Sequence, residues 1–143
     1  MKTLMRKIDK KIAIPSEIKY IKKISQDILG NLKRLNIDKS VQFDVRLAVE
    51  EAVRNSIEHG NCYDKNLTIN IAYTIDREKI SIKVEDQGEG FDVKKIPDPR
   101  RGDNLTKEGG RGVFLIRQLM DRIEYSKKGN KVTMTKFFAC PKA

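Results

Sequence analysis

Residues 41–60 read VQFDVRLAVEEAVRNSIEHG, and this stretch decides how the chain folds. Val41, Val45, Ala48, Val49, Ala52 and Val53 recur three and four apart, which puts them on one stripe of an α-helix. The spacing predicts a helix from about Ser40 to His59, with Gly60 as its C-terminal stop. Two runs of the opposite rhythm come next. Leu67, Ile69, Ile71 and Tyr73 alternate with polar residues, as do Ile80, Ile82 and Val84. A period of two marks strands with one buried face, and the break near Asp76–Lys79 reads as a hairpin turn. A one-sided helix and a one-sided hairpin bury their apolar surfaces most simply against each other.

The flanks extend this pattern. Upstream, Lys11-Ile12-Ala13-Ile14 alternates until Pro15 stops it, so a short strand is expected. Ser16 stands where an N-cap belongs, ahead of Ile18, Ile21, Ile24, Ile28, Leu29, Leu32 and Leu35 at helical spacing. That helix has a basic outer face and ends in a turn over residues 36–39. Downstream, residues 87–111 are rich in Gly, Pro and charge and read as a long loop, a feature that is usually functional in a compact domain. A third helix is expected from near Gly112 through Leu115, Ile116, Leu119 and Met120. Ile123 and Tyr125 begin another strand, Gly129-Asn130 turns, and Val132, Met134 and Phe137 belong to a last strand. The order β-α-α-β-β-loop-α-β-β predicts an α+β fold. Its form is a two-layer α/β sandwich, a mostly antiparallel sheet covered on one face by three helices.

Composition bounds the rest. A chain of 143 residues is expected to form one domain over 1–143. At 38% hydrophobic and 35% charged it is polar but can still build a core, unlike a disordered chain. No apolar run approaches the roughly 18 residues of a membrane span, and no secretory signal is visible, so a cytoplasmic protein is expected. Cys62, Cys140 and His59 do not make a zinc ligand set. The net charge of +10 permits a nucleic acid, an acidic protein or a polyanionic ligand, or simply solvated lysine faces. No nucleic-acid motif accompanies the charge.

Three short motifs carry chemistry. Glu51, Asn55 and His59 lie four apart on the long helix, along a stripe offset from the apolar one. Asn55 offers a neutral oxygen suited to Mg²⁺, which keeps most of its waters, and Glu51 could accept a proton as a general base. His59, at the helix end, fits a structural role facing the helix dipole. Next, Asp86 closes an apolar strand and opens Asp86-Gln87-Gly88-Glu89-Gly90. A carboxylate there can accept from an exocyclic amine such as that of adenine, and Gly88 and Gly90 let a flat ligand approach. Finally, Gly109-Gly110-Arg111-Gly112 precedes a helix, where free N–H groups and the dipole favour phosphate and Arg111 adds a donor fork. Each motif alone fits an ordinary polar turn or solvated face. Neither GxxxxGK[ST] nor GxGxxG is present. Together, in the order ExxxN, DxGxG, GxG, they supply the parts of an ATP site.

Glu51-Ala52-Val53-Arg54-Asn55 with His59-Gly60, Asp86 to Phe91, and Gly110 to Ile116 resemble the N, G1 and G2 boxes of the GHKL (Bergerat-fold) ATPases. The chain's size and its Leu119-Met120-Asp121 run look most like the anti-sigma-factor serine kinases of that superfamily. The resemblance covers about residues 11–138. It implies Asn55 as the Mg²⁺ ligand, Glu51 as general base, Asp86 as reader of the adenine amino group, and Gly88 and Gly90 beside the base. It also implies Gly110 and Gly112 at the phosphates, with the Arg111 fork between them, and residues 92–109 as an ATP lid. The implied partners are a sigma factor and a STAS-type anti-anti-sigma protein phosphorylated on Ser or Thr, with a homodimer as the working form and no nucleic acid or membrane bound directly. Two positions depart from the family pattern. Asn130-Lys131 stands where Thr-Thr is frequent, and Arg111 stands between the phosphate-turn glycines, where the residue is often apolar. A non-catalytic, ATP-dependent partner-switching module is the alternative. A sensor histidine kinase is disfavoured because the one histidine lies inside the expected site.

Overall fold

A computed structural model describes residues 7–88 and 115–138 of the chain. Five strands, β1 (Ile8–Pro15), β2 (Thr68–Ile75), β3 (Lys79–Glu85), β4 (Arg122–Tyr125) and β5 (Lys131–Phe137), make one sheet in the order β1-β2-β3-β5-β4. Every neighbouring pair is antiparallel. Helices α1 (Ile21–Arg34), α2 (Lys39–Asn55) and α3 (residues 115–119) complete the α+β sandwich expected from the pattern.

The alternation of the strands sets their two faces. Ile12, Ile71, Val84, Val132 and Tyr125 lie side by side across the sheet. Tyr73, Ile82, Met134 and Ile123 form the next row. These rows meet Ile21, Ile24, Ile28 and Leu32 of α1 and the whole apolar stripe of α2, from Val41 to Val53, all buried. Each aliphatic side chain removed from water in this way contributes roughly 1.5–3 kcal/mol before chain entropy is counted. The opposite face is short and polar, with Ala72, Thr74, Ser81 and Thr133 partly exposed.

Two expectations need correction. The helix predicted to reach His59 ends at Asn55, and Ser56–Gly60 form a π turn in which the Asn61 N–H donates to the Ser56 carbonyl at 2.8 Å. Gly60 is therefore not a left-handed helix stop; among the described glycines only Gly129 has a positive φ, 85°. Nor does Ser16 cap a helix. It is 1% exposed, donates to the Leu67 carbonyl at 3.0 Å and accepts from Asn61 Nδ2 at 2.6 Å. A 3₁₀ turn (Ile18–Tyr20) leads into α1, whose N-terminus has no side-chain cap.

The strand order brings two distant parts of the chain together. Because β5, not β4, lies beside β3, the chain leaving β3 runs along the β4–β5 turn: the Asp86 N–H donates to the Asn130 carbonyl at 2.9 Å. The end of α2 reaches the same place from the helical layer.

Candidate nucleotide site

The π turn shapes the helical wall of the site. A π turn spends more residues per turn than an α-helix, and such insertions recur at functional sites. Glu51 and Asn55 precede it and keep their four-residue spacing. His59 falls inside it, exposed, with Nε2 3.9 Å from Glu58 Oε1, so the expected three-residue stripe is broken at its last member.

Between the layers lies a crevice of about 310 Å³, open solvent at its mouth included. Ala52, Asn55 and Ser56 form its helical side, and Val84 and Asp86 come from the exit of β3. Tyr125, Asn130 and Val132 come from the β4–β5 hairpin, and Ile116 from α3. The lining is mostly apolar with a few convergent polar groups, as in small-molecule sites generally. Burial pushes the Tyr125 hydroxyl up to about 12, only partly countered by Arg117, so it stays protonated at neutral pH.

Asp86 is the polar centre. It is 4% exposed, and burial holds its carboxyl above the usual carboxylate range. The Gly88 N–H, donating to Oδ1 at 2.9 Å, and the Ser56 hydroxyl offset part of that rise. The charge of Glu85 adds to the rise and that of Lys128 opposes it. A carboxylate has about four lone-pair positions. Two donors leave acceptor capacity for an amine entering the crevice.

The glycines around it are required by space. A Cβ on Gly60 would lie 2.2 Å from Asp86 Oδ2, and one on Gly88 would lie 1.9 Å from the Gly60 carbonyl oxygen. Both contacts are far inside van der Waals distance. The bare backbone of Gly60 and Gly88 thus lets helix end, carboxylate and strand exit pack into one knot.

Of the other expected site residues, Asn55 lines the crevice, whereas Glu51 is not among the lining residues. Glu51 Oε1 accepts from Arg54 Nη1 at 3.1 Å. Gly90, Gly110, Arg111, Gly112 and the expected lid at 92–109 lie outside the described residues. Among the described residues no cluster of three or more His, Cys, Asp or Glu side chains could hold a metal ion. A single asparagine oxygen fits a cation that draws its other ligands from phosphate and water, the habit of Mg²⁺.

Sequence reasoning missed Ser56, Asn61 and the packing role of Gly60. Two partners of the Asn61 side chain, Ser16 and Gln87, sit 45 and 26 residues away, so no local pattern announces them. Asn130, expected as a turn residue and as a departure from the family's Thr-Thr, also grips Asp86: its Nδ2 donates to the Asp86 carbonyl at 3.1 Å.

Comparison with known proteins agrees with this geometry. The family model described as histidine kinase-like ATPase domain matches residues 14–136. The chain is 33% identical over 132 residues to the serine-protein kinase RsbW of Staphylococcus aureus strains MSSA476 and Newman, covering 87% of this chain and 83% of that protein. The crystal structure of the RsbU and RsbW domains of Rv1364c from Mycobacterium tuberculosis superposes with a TM-score of 0.66 at 20% identity. It covers 94% of this chain and 33% of that longer one. The histidine kinase domain of a blue-light activated histidine kinase from Erythrobacter litoralis gives 0.51 at 15% identity, over 87% of this chain and 61% of that one; these two likenesses are of fold. The crevice, its buried aspartate and the matches over nearly the whole chain lead to one assignment: the chain belongs to the histidine kinase-like ATPase family and, within it, to the RsbW-type serine-protein kinases.

Proposed function

We propose that this chain binds ATP with Mg²⁺ in the crevice and transfers its γ-phosphoryl group to a serine or threonine of a STAS-type anti-anti-sigma protein. In its alternative complex it holds a sigma factor from RNA polymerase. The observation that carries the nucleotide assignment is Asp86, a carboxylate kept buried and only partly hydrogen-bonded in the lining of a mostly apolar crevice. The kinship with RsbW kinases carries the partner class.

Each residue has a part. The Asp86 carboxylate accepts the 6-amino hydrogen of adenine, with Gly88 and Gly90 beside the ring. Among the described residues the Asn55 amide oxygen is the ligand offered to Mg²⁺, whose chemistry when bound is neutralisation of charge on the phosphate oxygens. Gly110, Arg111 and Gly112 hold the phosphates, and residues 92–109 close over them. The acceptor hydroxyl oxygen attacks the γ-phosphorus, ADP leaves, and the hydroxyl proton passes to Glu51. Arg54 occupies Glu51 Oε1 and leaves the second oxygen for that proton. Among the described residues no helix is long and apolar enough to cross a membrane. We place the protein in the cytoplasm, as a homodimer and a single domain.

The test is transfer from labelled ATP to a STAS protein of the same genome. Glu51→Gln is expected to keep ATP affinity within about threefold and to lose transfer by roughly 10²–10⁴-fold, the usual worth of a general base. Full transfer by that variant removes Glu51 from the mechanism. ATP binding without a phosphoprotein in the unmodified chain supports the non-catalytic switch instead.

A further inference from the structure

The Asp86–Gln87 peptide is held at both ends by asparagine side chains from different parts of the molecule. On one side, Asn130 Nδ2 donates to the Asp86 carbonyl at 3.1 Å, while the Asn130 carbonyl accepts the Asp86 N–H at 2.9 Å. On the other, Asn61 Oδ1 accepts the Gln87 N–H at 2.8 Å. The Asp86 carbonyl and the Gln87 N–H belong to the same planar peptide unit. Two amides thus fix the rotation of one plane, and that rotation sets where the Asp86 side chain points.

Asn61 is built for this task. It is 3% exposed, and its Nδ2 donates to Ser16 Oγ at 2.6 Å and to the Thr68 carbonyl at 2.9 Å. Gln87 N–H can only donate and the Thr68 carbonyl can only accept, so the orientation of the amide is settled by its partners. One side chain therefore ties the π turn to the end of β1, the start of β2 and the exit of β3. Gln87 adds a strap of its own, its Oε1 accepting from the Thr68 N–H at 2.7 Å. Asn130 is braced in turn by the Ser126 hydroxyl at 3.2 Å.

We propose that Asn61 and Asn130 are positioning residues, a two-sided clamp that aims the Asp86 carboxylate at the exocyclic amine of the base and so sets selectivity for aminopurine nucleotides. The clamp rests on the assignment of Asp86 to the adenine amine. It acts through the main chain and need not touch the nucleotide. Residues that only hold the fold would, when removed, weaken all nucleotides alike. Residues that aim one carboxylate weaken specifically the ligand that carries the amine.

The experiment compares ATP with purine riboside triphosphate, which lacks the 6-amino group, each with Mg²⁺, by calorimetry on the full chain. The unmodified protein is expected to prefer ATP by roughly tenfold or more, the worth of a hydrogen bond to a charged acceptor. Asn130→Ala keeps the main-chain bond from Asp86 N–H, so it folds; its preference is expected to drop to about threefold or less. Asn61→Ala is expected to do the same, and Asn61→Asp keeps the acceptor for Gln87 N–H and so more of the preference. Asn130→Ala with both nucleotides weakened equally and the preference intact overturns the clamp, whether or not the Asn61 variants fold. Asp86→Asn is the control. A preference unchanged in Asp86→Asn would instead remove the adenine assignment, and the clamp would fall with it.

Discussion

Two polar clusters, one partly exposed around Asp27 and one buried around Asp86, treat their carboxylates in opposite ways. Beneath α1, Asp27 accepts from Lys10 Nζ at 2.8 Å and from the Tyr73 hydroxyl at 2.6 Å. The same hydroxyl accepts from Asn31 Nδ2 at 2.8 Å, and Arg34 donates to Asn31. Burial pushes the Asp27 carboxyl up, but the hydrogen bonds from Lys10 and Tyr73 outweigh it and hold the group below its ordinary range. Tyr73 is pushed far up, by burial and by donating to Asp27. At the exit of β3, burial wins and Asp86 is held above its ordinary range. Among the described residues no salt bridge reaches it. The first cluster is closed, because the Asp27 carboxylate finds its counter-charge in Lys10 and a second donor in Tyr73. The second is open, with a charged group kept at a cost and acceptor capacity unused. A group retained against stability is the mark of a binding site.

The sharpest way to break this contrast is to exchange each carboxylate for its amide. Asp86→Asn is expected to reduce ATP affinity by roughly 10- to 100-fold, the loss of a charged acceptor, with a melting temperature equal to or above that of the unmodified chain. Asp27→Asn is expected to do the reverse: ATP affinity within about twofold, and stability lower by about 1–3 kcal/mol. Calorimetry and thermal melts on the two variants decide. Equal loss of stability in both would erase the distinction between an open and a closed cluster.

Space gives the next effect in size. Gly60→Ala drives a methyl group into Asp86 Oδ2, so the carboxylate must move. ATP affinity is expected to fall by about tenfold or more, on the scale of one charged hydrogen bond lost. Gly30→Ala, on α1 with open space around it, should add slightly to helix stability and leave affinity alone. Normal ATP binding by Gly60→Ala would show that the tight packing at Asp86 serves nothing in the site.

Acidification separates the clusters by sign. The raised Asp86 favours the folded state when protonated. Its favourable contribution is full below about pH 4, the unfolded value, and is lost as pH rises through the higher folded value. Asp27 is lowered, so its contribution is present above about pH 4 and is lost as pH falls through the still lower folded value. The stability gap between Asp86→Asn and the unmodified chain is therefore expected to open on going from pH 3 to neutrality. The gap for Asp27→Asn should close on acidification. Melting curves across this range read both, and parallel curves would contradict the assignment. The smallest effect belongs to Lys10→Met. The Lys10 to Asp27 pair is partly exposed, so its removal should cost about 1 kcal/mol or less and weaken with salt.

Much of this contrast could be read in the sequence, but unevenly. The apolar stripe of α2, the alternation of β2 and β3 and the order of the elements were all legible because they depend on neighbours along the chain. Asp86 was legible too, since a carboxylate between an apolar strand and a glycine turn is a local pattern. The π turn was not, because a 3.6-residue period extrapolates a helix straight through Ser56–Gly60. Gly60 stands out in the sequence as a helix stop, but what requires glycine there is the nearness of Asp86, 26 residues away in sequence, and not its own backbone angle. Ser16 looked like a cap because caps are local, while its actual partners, Leu67 and Asn61, are brought to it only by the sheet. Tyr73 fits the strand alternation, and nothing in its neighbourhood announces that its hydroxyl completes the Asp27 cluster.

The central claim is that the open cluster is where the base of ATP is read. The most direct measurement is a crystal structure with Mg²⁺ and a non-hydrolysable ATP analogue. The account predicts the purine between the end of α2 and the exit of β3, its 6-amino nitrogen about 3 Å from an Asp86 carboxylate oxygen, with the Asn55 oxygen on the metal. A purine bound elsewhere, or seated in the crevice with its amine turned away from Asp86, would contradict it.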